Sequence, residues 1–406
     1  MIYNLKDFIS SSSVTSDNTF VGIKCNEGKI SISLPVGFRV SEDDKSLRKD
    51  ILLLLYAIRN TFDKRDSDSI ISSLDKTNHT ESFPISSYLF VISDFMNRGY
   101  FKEKETVFAV DKKGKIQWGR TIKRIYPYIQ NNQAFYLDFI TRKNPLSENE
   151  LITQIHEFCV YESFMKLGWL YTSKLPKKPR IKFNLNLFLS IVNEKLGNSF
   201  IDENKKLFHH MIQIIKCSES NVDQLNYTYG TDRFEYVWEK LIDEVFGIKD
   251  KFNYFPKTKW IFRGNNQFYD NSSLEPDTIM LYDNKIYILD AKYYKFGRTK
   301  RPSDLPSSSS INKQITYGEY AEKLHQKNNV RNAFLMPFSS YDWNSSEPFM
   351  YIGDAVSEWK LNNLPYESIK GILVDTNYLL NAFHFENKSL IIKLSKLIED
   401  SFVTKI

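Results

Sequence analysis

The sequence predicts an α/β protein, with a mixed α+β N-terminal half and a small α/β core in its C-terminal half. The chain has 406 residues, which is too long for one ordinary hydrophobic core. Short strand-like and helical patterns mix through residues 1–175, whereas residues 176–406 contain a helix, a β-hairpin, a helix and further strands in an order typical of α/β sheets. We therefore predict two domains with these bounds.

The N-terminal half contains both strand-like and helical patterns. The strand-like stretches are 17–40 and 105–142, and the helical ones are Leu47–Phe62 and Pro84–Met96. Ser147 and Glu150 then have the spacing of a capping box, with Ser147 as the N-cap of a helix that reaches about Leu167. The basic, proline-containing segment Lys174–Lys182 predicts a linker.

The C-terminal half alternates helices with short apolar strands. The predicted helices are Leu185–Lys195, Glu203–Cys217, Asp232–Phe246, Asn312–Gln326 and a C-terminal helix. The predicted strands are Thr278–Tyr282, Lys285–Leu289, Val330–Pro337 and Ile369–Val374. The first two of these strands form the predicted hairpin.

Two aspartates stand at the open end of this hairpin. With a two-residue turn at Asp283-Asn284, facing residues share one sum of residue numbers, so Asp277 lies directly opposite Asp290. Directly opposed residues have Cβ atoms roughly 5 Å apart, and like charges there are destabilising. A divalent cation bound by both carboxylates would offset that repulsion.

Lys292 completes the constellation. It follows Asp290 by two residues, so strand alternation places both side chains on one face and Ala291 on the other. Oxygen ligands suit Mg²⁺ or Mn²⁺ and disfavour zinc. A metal that lowers the pKa of bound water, beside an ammonium group, can cleave a phosphodiester. The alternative interpretation is structural: Asp277 caps a turn, Asp290 ends a strand and Lys292 is solvated.

Two flanking helices carry further candidates. Glu235 and Glu239 lie one turn apart beside the apolar stripe of the predicted helix 232–246, so either one is a candidate further ligand. In the following helix, Gln314 and Tyr317 are three residues apart and face the same direction. Packing explains Tyr317 more easily than it explains Gln314.

The distribution of charge points to an anionic partner near the hairpin. Lys and Arg outnumber Asp and Glu by 55 to 49, and a net charge of +6 on this length indicates little by itself. The run Lys292–Arg301, however, holds five basic residues and no acid. We predict DNA contacts by Lys295, Arg298, Lys300 and Arg301.

Other classes of protein are disfavoured. The three cysteines form no CxxC pair, so neither a disulfide framework nor a zinc site is indicated. The N-terminus MIYNLKDFISSSS lacks the order of a signal peptide, and no apolar run approaches the ~20 residues of a membrane span. We expect a soluble cytoplasmic protein with no membrane partner.

The residues around the carboxylates resemble the PD-(D/E)xK nuclease superfamily. The matching segments are EPD (Glu275–Asp277) and LDAKYY (Leu289–Tyr294) for its two central strands, FEYVWE (Phe234–Glu239) for the preceding helix and KQITY (Lys313–Tyr317) for the following helix. More narrowly, the chain resembles LlaJI-type restriction endonuclease subunits, themselves similar to the McrC nuclease subunit. The segments that carry this second resemblance are GKIQWGRTIK (Gly114–Lys123) and LITQIHEFCVYESF (Leu151–Phe164).

The resemblance implies a restriction-endonuclease-like core and a role for each matching residue. Asp277, Asp290 and Glu239 would bind Mg²⁺, with Mn²⁺ as an alternative, and Glu235 is the weaker choice for the helix acid. Lys292 would orient the attacking water or help to deprotonate it. Gln314 would contact the site or the DNA backbone.

The resemblance also implies a substrate and partners. The expected activity is a Mg²⁺-dependent endodeoxyribonuclease on double-stranded DNA, either a type II-like restriction endonuclease or the nuclease subunit of a multi-subunit system. The N-terminal domain would recognise DNA or dock a partner, with Arg120 and Lys123 as DNA contacts in a basic strand segment. Since the chain has no G-x-x-x-x-G-K-[ST] phosphate loop, an McrB-like GTPase is the expected partner, and self-association stays open. The alternatives are a RecB-like non-specific nuclease module and a non-cleaving subunit that binds DNA or regulates the motor.

Overall fold

A computed structural model of the chain describes most of its length. The described residues are 8–9, 19–26, 29–63, 84–104, 107–131, 133–143, 146–147, 150–172, 174–219, 227–263, 268–325, 329–360, 362, 364–385 and 389–403.

The helices and strands in chain order are as follows. The helices are α1 (Asp44–Asp63), α2 (Ile85–Arg98), α3 (Trp118–Arg124), α4 (Leu151–Leu167), α5 (Leu185–Asn198), α6 (Asp202–Glu219), α7 (Phe234–Phe246), α8 (Phe296–Thr299), α9 (Ser308–His325), α10 (Thr376–Phe385) and α11 (Ser389–Val403). The strands are β1 (Val21–Asn26), β2 (Lys29–Ser33), β3 (Glu103–Lys104), β4 (Val107–Val110), β5 (Lys115–Ile116), β6 (Tyr128–Gln130), β7 (Gln133–Phe135), β8 (Ile140–Lys143), β9 (Leu146–Ser147), β10 (Tyr227–Thr231), β11 (Lys259–Ile261), β12 (Phe268–Asp270), β13 (Thr278–Tyr282), β14 (Lys285–Ala291), β15 (Val330–Phe338), β16 (Phe349–Ala355) and β17 (Ile369–Asp375).

The chain divides into two compact units. The first comprises residues 1–2 and 81–225, and the second comprises 3–80 and 226–406. This division differs from the boundary at 175/176 that the sequence suggested. The physical reason is a long-range strand pairing: β1 pairs with both β2 and β10, which ties the N-terminal hairpin to the C-terminal half. The segment 174–182, predicted as a linker, has neither helix nor strand and lies within the first unit.

The second unit is built on a five-stranded mixed sheet in the order β13-β14-β15-β17-β16. Strands β14, β15 and β17 are parallel, and antiparallel β13 and β16 form the two edges. The parallel strands are almost wholly buried and apolar, as expected for strands that are covered on both faces. The sheet confirms the predicted α/β class for this half of the chain.

Helices cover the faces of this sheet. From α9, Ile315, Tyr317 and Ala321 pack onto apolar side chains of the sheet that include Ile288 and Phe334. Neighbouring residues of a strand point to opposite faces, so Tyr287 of β14 lies on the face opposite to Ile288. Its hydroxyl donates a hydrogen bond to Glu399 of α11 at 3.2 Å. Helix α7 packs against β13 and β14. The carboxyl end of β14 therefore lies between α7 and α9.

The first unit has a separate helical core. Helices α2, α4, α5 and α6 pack on one another. The fully buried side chains of this core include Val91, Ile155, Phe188, Met211 and Ile214. Small antiparallel sheets, β4-β8-β5 and β6-β7, occupy the stretch between α2 and α4. This part confirms the predicted mixture of helices and strands in the N-terminal half.

Two local predictions were wrong, and one strand was missed. Ser147 does not cap α4, because it lies in β9 and the N-cap position is Glu150, whose side chain makes no capping hydrogen bond. The segment with Arg120 and Lys123 is not a strand, since only Lys115–Ile116 pair and the residues from Trp118 onward form α3. The edge strand β16 was not predicted from the sequence at all.

Candidate active site

The β13–β14 hairpin has the turn and the register that the sequence predicted. Asp283 and Asn284 both have positive φ, 49° and 57°, which is the requirement of a two-residue type I′ turn. Tyr282 pairs with Lys285, and the ladder continues in the same register to Thr278 opposite Leu289. One further step along this ladder brings Asp277 opposite Asp290, at the open end of the hairpin.

Asp277 is a half-buried carboxylate held by the neighbouring strand. Its Oδ2 accepts a hydrogen bond from the Ala291 backbone N–H at 2.9 Å. Burial raises the pKa of Asp277 to about 7, and the negative charges of Asp290 and Glu239 act in the same direction. This carboxyl therefore lies in a site with an excess of negative charge, where a cation would be favoured.

Asp290 and Lys292 form an ion pair on one face of β14. Asp290 is only 4% exposed, and its Oδ2 is 2.6 Å from the Lys292 Nζ. Burial acts to lower the pKa of Lys292, but the charges of Asp290 and Asp277 and the hydrogen bond to Asp290 outweigh it and raise the pKa. The lysine is thus held in its protonated form beside both aspartates.

Helix α7 brings a third carboxylate to this end of the hairpin. The Trp238 indole is fully buried, and its Nε1 donates to the Leu335 carbonyl of β15 at 3.1 Å, which fixes the helix on the sheet. The next residue, Glu239, lines a cavity of about 290 Å³ together with Asp277. Glu235 lies near Tyr293 instead. The pKa of the Tyr293 phenol is raised mainly by burial, and the negative charge of Glu235 raises it further.

Asp243 and Lys251 support the site and were not predicted from the sequence. The Lys251 Nζ donates to the backbone carbonyl of Asp277 at 2.6 Å and contacts Asp243 Oδ2 at 3.0 Å. Asp243 Oδ1 in turn accepts from the Thr278 hydroxyl at 3.3 Å. Helical spacing could have identified Asp243 as a site residue, because it lies one turn after Glu239 on α7. Lys251 lies in a 3-10 turn that no periodic pattern in the sequence indicates.

The donor set suits a hard cation, although the three acids do not form a ready-made cage. Within the described residues, no group of three His, Cys, Asp or Glu side chains is arranged to hold a metal ion. Asp277 and Asp290 nevertheless offer oxygen ligands only, which match the preference of Mg²⁺ and Mn²⁺. The raised pKa of Asp277 is consistent with that fit, since a cation would relieve the repulsion that causes part of the shift.

Gln314 and Tyr317 have structural contacts on α9. Gln314 is 1% exposed, and its Nε2 donates to the Ile288 carbonyl at 2.8 Å. Its role, expected as a contact to the site or to the DNA backbone, stays a prediction. Tyr317 is buried too and donates to the Glu275 carbonyl at 2.9 Å, so it helps to hold the segment that leads into Asp277.

The predicted DNA contacts of the second unit lie on the surface after β14. Their backbone follows Lys292 through the short helix α8, and their side chains are exposed: Lys295, Arg298, Lys300 and Arg301. The Lys300 Nζ lies 4.3 Å from the centre of the Trp343 ring, and the Trp343 Nε1 donates to the Gly297 carbonyl at 2.5 Å. This basic loop is therefore anchored to the sheet by Trp343.

Arg120 and Lys123 lie in the first unit. Both side chains are exposed on α3, and the Arg120 guanidinium lies 3.7 Å from the centre of the Phe108 ring. No described helix has the length and apolar character needed to cross a membrane.

The comparisons with known proteins are with a family model, a curated relative and a solved structure. The model of the family described as LlaJI restriction endonuclease matches residues 20–356. The chain is 28% identical over 398 residues to the type II restriction enzyme BsuMI component YdjA of Bacillus subtilis strain 168, covering 91% of this chain and 81% of that protein. A chain of the solved half-complex of Thermococcus gammatolerans McrB AAA+ hexamers with bound McrC is 16% identical to this one, with a TM-score of 0.36. The match covers 91% of this chain and 83% of that chain.

Proposed function

Because this chain belongs to the LlaJI restriction endonuclease family, we propose that it is a Mg²⁺-dependent endodeoxyribonuclease with a PD-(D/E)xK core. It would act as a type II-like restriction endonuclease or as the nuclease subunit of a multi-subunit restriction system. The observation that carries this proposal is the open end of the β13–β14 hairpin, where Asp277, Asp290 and Lys292 lie together.

The three acids of the site would hold the metal. Asp277, Asp290 and Glu239 would bind Mg²⁺, with Mn²⁺ as an alternative, and the charge that they concentrate beside buried strands supports this assignment. When bound, the ion would lower the pKa of a water and polarise the scissile phosphate. The hydrogen bond from the Ala291 N–H fixes one Asp277 oxygen, and Lys251 fixes the Asp277 backbone.

Lys292 would act as a permanent cation. Since its pKa is raised, the ammonium is a poor base at neutral pH and a good hydrogen-bond donor. We therefore assign it the orientation of the attacking water and the stabilisation of negative charge on the phosphate, in preference to deprotonation of the water. The ion pair with Asp290 holds the ammonium group in place for that task.

The substrate would be double-stranded DNA. The exposed basic residues that follow Lys292 would contact its phosphates close to the reacting centre: Lys295, Arg298, Lys300 and Arg301. The N-terminal part of the chain would recognise DNA or dock a partner, with Arg120 and Lys123 of α3 as contacts. Contacts to the DNA phosphates position the duplex and carry no sequence information by themselves.

The chain would work with a partner. The relative in Bacillus subtilis is described as a component of a restriction enzyme, which supports a multi-subunit system. A GTPase that resembles McrB is the partner that the sequence resemblance implies, because the chain itself has no phosphate loop.

Digestion of plasmid DNA by the purified chain with Mg²⁺, with and without a candidate GTPase partner, tests the proposal. Discrete fragments are expected, whereas a smear would favour a non-specific nuclease and intact plasmid under all conditions would favour a non-cleaving DNA-binding subunit.

The matched variants are Asp290→Ala and, as the control, Asp342→Ala, which changes an exposed aspartate. Loss of cutting in Asp290→Ala should exceed the roughly 10–100-fold effect of mutating an outer-shell partner. DNA binding, measured separately, should be retained. Full cutting by Asp290→Ala would refute the catalytic assignment.

A further inference from the structure

A two-stranded ribbon next to the candidate active site exposes aromatic side chains. It consists of β11 and β12, and all six of its residues are exposed. Trp260 is 65% exposed and Tyr269 is 61% exposed. Contiguous apolar surface of this kind on a folded protein indicates an interaction site, because isolated exposed rings are common but clustered ones are not. We call this element the aromatic ribbon.

The register of the aromatic ribbon places its two largest rings side by side. Trp260 pairs directly with Tyr269, so both rings leave the same face. The other face carries Lys259, Ile261, Phe268 and Asp270, and the Lys259 Nζ lies 4.4 Å from the centre of the Phe268 ring. One face is thus an aromatic pair and the other mixes a basic residue with apolar ones.

Both ends of the aromatic ribbon arise at the rim of the candidate site. Phe255, just before it, and Glu275, just after it, line the same cavity as Asp277 and Glu239. Two backbone hydrogen bonds of 2.9 Å close its base, from Asn271 N to the Thr258 carbonyl and from Leu274 N to the Pro256 carbonyl. The segments that enter and leave the aromatic ribbon therefore lie at the cavity of the candidate site.

We propose that the aromatic ribbon binds the DNA duplex beside the scissile phosphate, with Trp260 and Tyr269 packed against bases. This inference rests on the proposed nuclease function. A two-stranded β-ribbon fits the major groove of B-DNA, where apolar side chains can pack against base edges such as the thymine methyl group. Lys257, Lys259 and Arg263 supply cations for the flanking phosphates, whereas Asp270 is the one acid between residues 257 and 270.

Position and charge favour DNA over a protein as the occupant. A docking site for another protein can lie anywhere on the surface, whereas the segments that flank this ribbon contribute Phe255 and Glu275 to the cavity that contains Asp277. Lys257 and Lys259 closely precede Trp260 in the sequence, so cations that can contact phosphates lie close to the rings.

DNA affinity of ribbon variants tests the inference. The double variant Trp260→Ala/Tyr269→Ala should bind a short fluorescein-labelled duplex about five- to tenfold more weakly, measured by fluorescence anisotropy in EDTA so that no cutting occurs. The double variant Trp260→Phe/Tyr269→Phe keeps both rings and should retain most of the affinity. Trp359→Ala is the matched control, since Trp359 is 71% exposed and follows β16 at the far edge of the sheet.

Several outcomes would overturn the inference. Unchanged affinity in the alanine double variant would do so, provided that its melting temperature matches the wild type. The same holds if the wild-type chain does not bind the duplex, or if light scattering shows that the variant loses only self-association. The proposed nuclease function is tested separately. If the alanine ribbon variant binds DNA normally while Asp290→Ala still abolishes cutting, the role of the ribbon is refuted and the nuclease function is supported.

Discussion

Two antiparallel hairpins that follow one another in this chain differ in burial: one is mostly buried and the other is exposed. The β13–β14 hairpin lies within the main sheet and carries carboxylates in a half-buried to buried setting. The aromatic ribbon lies outside that sheet and exposes its rings to solvent. Buried like charges and exposed rings are each unfavourable for an isolated folded chain. The contrast is what motivates the two proposals, a cation at the first hairpin and DNA at the second.

The largest expected effect separates the lysine of the buried hairpin from the lysines of the exposed loop. Lys292→Ala should lower the cutting rate about 10²–10³-fold, as the loss of one preorganised donor does, because it removes the ammonium group paired with Asp290. Single-turnover cleavage at saturating DNA measures this. Lys295→Ala is the matched control, and it should weaken binding while leaving the saturated rate unchanged. Equal rates for the two variants would remove the special role of Lys292.

A smaller effect sharpens the assignment of Lys251 as a positioning residue. Lys251→Met removes the bonds to the Asp277 carbonyl and to Asp243. We expect a roughly 10–100-fold loss of activity, the range for partners that orient a metal ligand. The Mg²⁺ concentration for half-maximal cutting should rise too, which a merely structural role would not cause. Lys251→Arg should restore part of the activity, and Lys249→Met, at an exposed position, is the control.

The exposed loop after β14 should act through charge alone. Arg298→Ala should weaken duplex binding at all sequences and reduce the slope of log affinity against log salt concentration by about 1, because one phosphate contact is lost. Anisotropy titrations over a series of salt concentrations measure the slope. Lys249→Ala, another exposed cation, should leave the slope unchanged. A sequence-dependent effect of Arg298→Ala would show that it contacts bases instead.

The smallest effect is a change in stability with pH. The pKa of Asp277 is raised from 3.8 to about 7, so the folded state binds a proton more tightly than the unfolded state does. Stability of the metal-free protein should therefore fall as the pH rises from about 4 to about 7. Asp277→Asn should abolish this fall in stability with pH, because the amide does not ionise. The melting temperature of the variant at about pH 8 should exceed that of the wild type by about 2–4 °C.

Calorimetry in EDTA measures this difference, and Asp342→Asn is the control at an exposed aspartate. The advantage of Asp277→Asn should vanish below about pH 4, where the wild-type carboxyl is protonated as well. It should also disappear when Mg²⁺ is added, since only the wild-type site gains the cation. An advantage that is independent of pH would assign the effect to packing.

The hairpin could be predicted from the sequence because its determinants are local. The turn residues Asp283 and Asn284 fix the register, and the alternation along β14 places Asp290 and Lys292 on one face, so short-range rules were sufficient. The amphipathic stripe of α7 also marked the helix that carries Glu239. These features involve residues close in sequence, for which period and turn chemistry are strong signals.

The features that the sequence did not reveal depend on long-range contacts. Nothing in the pattern of β10 indicates that it pairs with β1, more than 200 residues earlier in the chain. The burial of Gln314 depends on its contact with Asn332 and on the carbonyl of Ile288 in another element. Lys251 reaches Asp277 from a 3-10 turn. Such partners are set by tertiary packing, which helical and strand periods do not encode.

The pairing of β1 with β10 makes the carboxylate-bearing unit discontinuous in sequence, because residues 81–225 are inserted into it. A fragment that starts at residue 176 would lack β1, β2 and α1. It would leave one edge of β10 unpaired and strip α1 from α7, the helix that carries Glu239. Removing residues 81–225 instead would keep the pairing of β1 with β2 and β10 and the packing of α1 on α7.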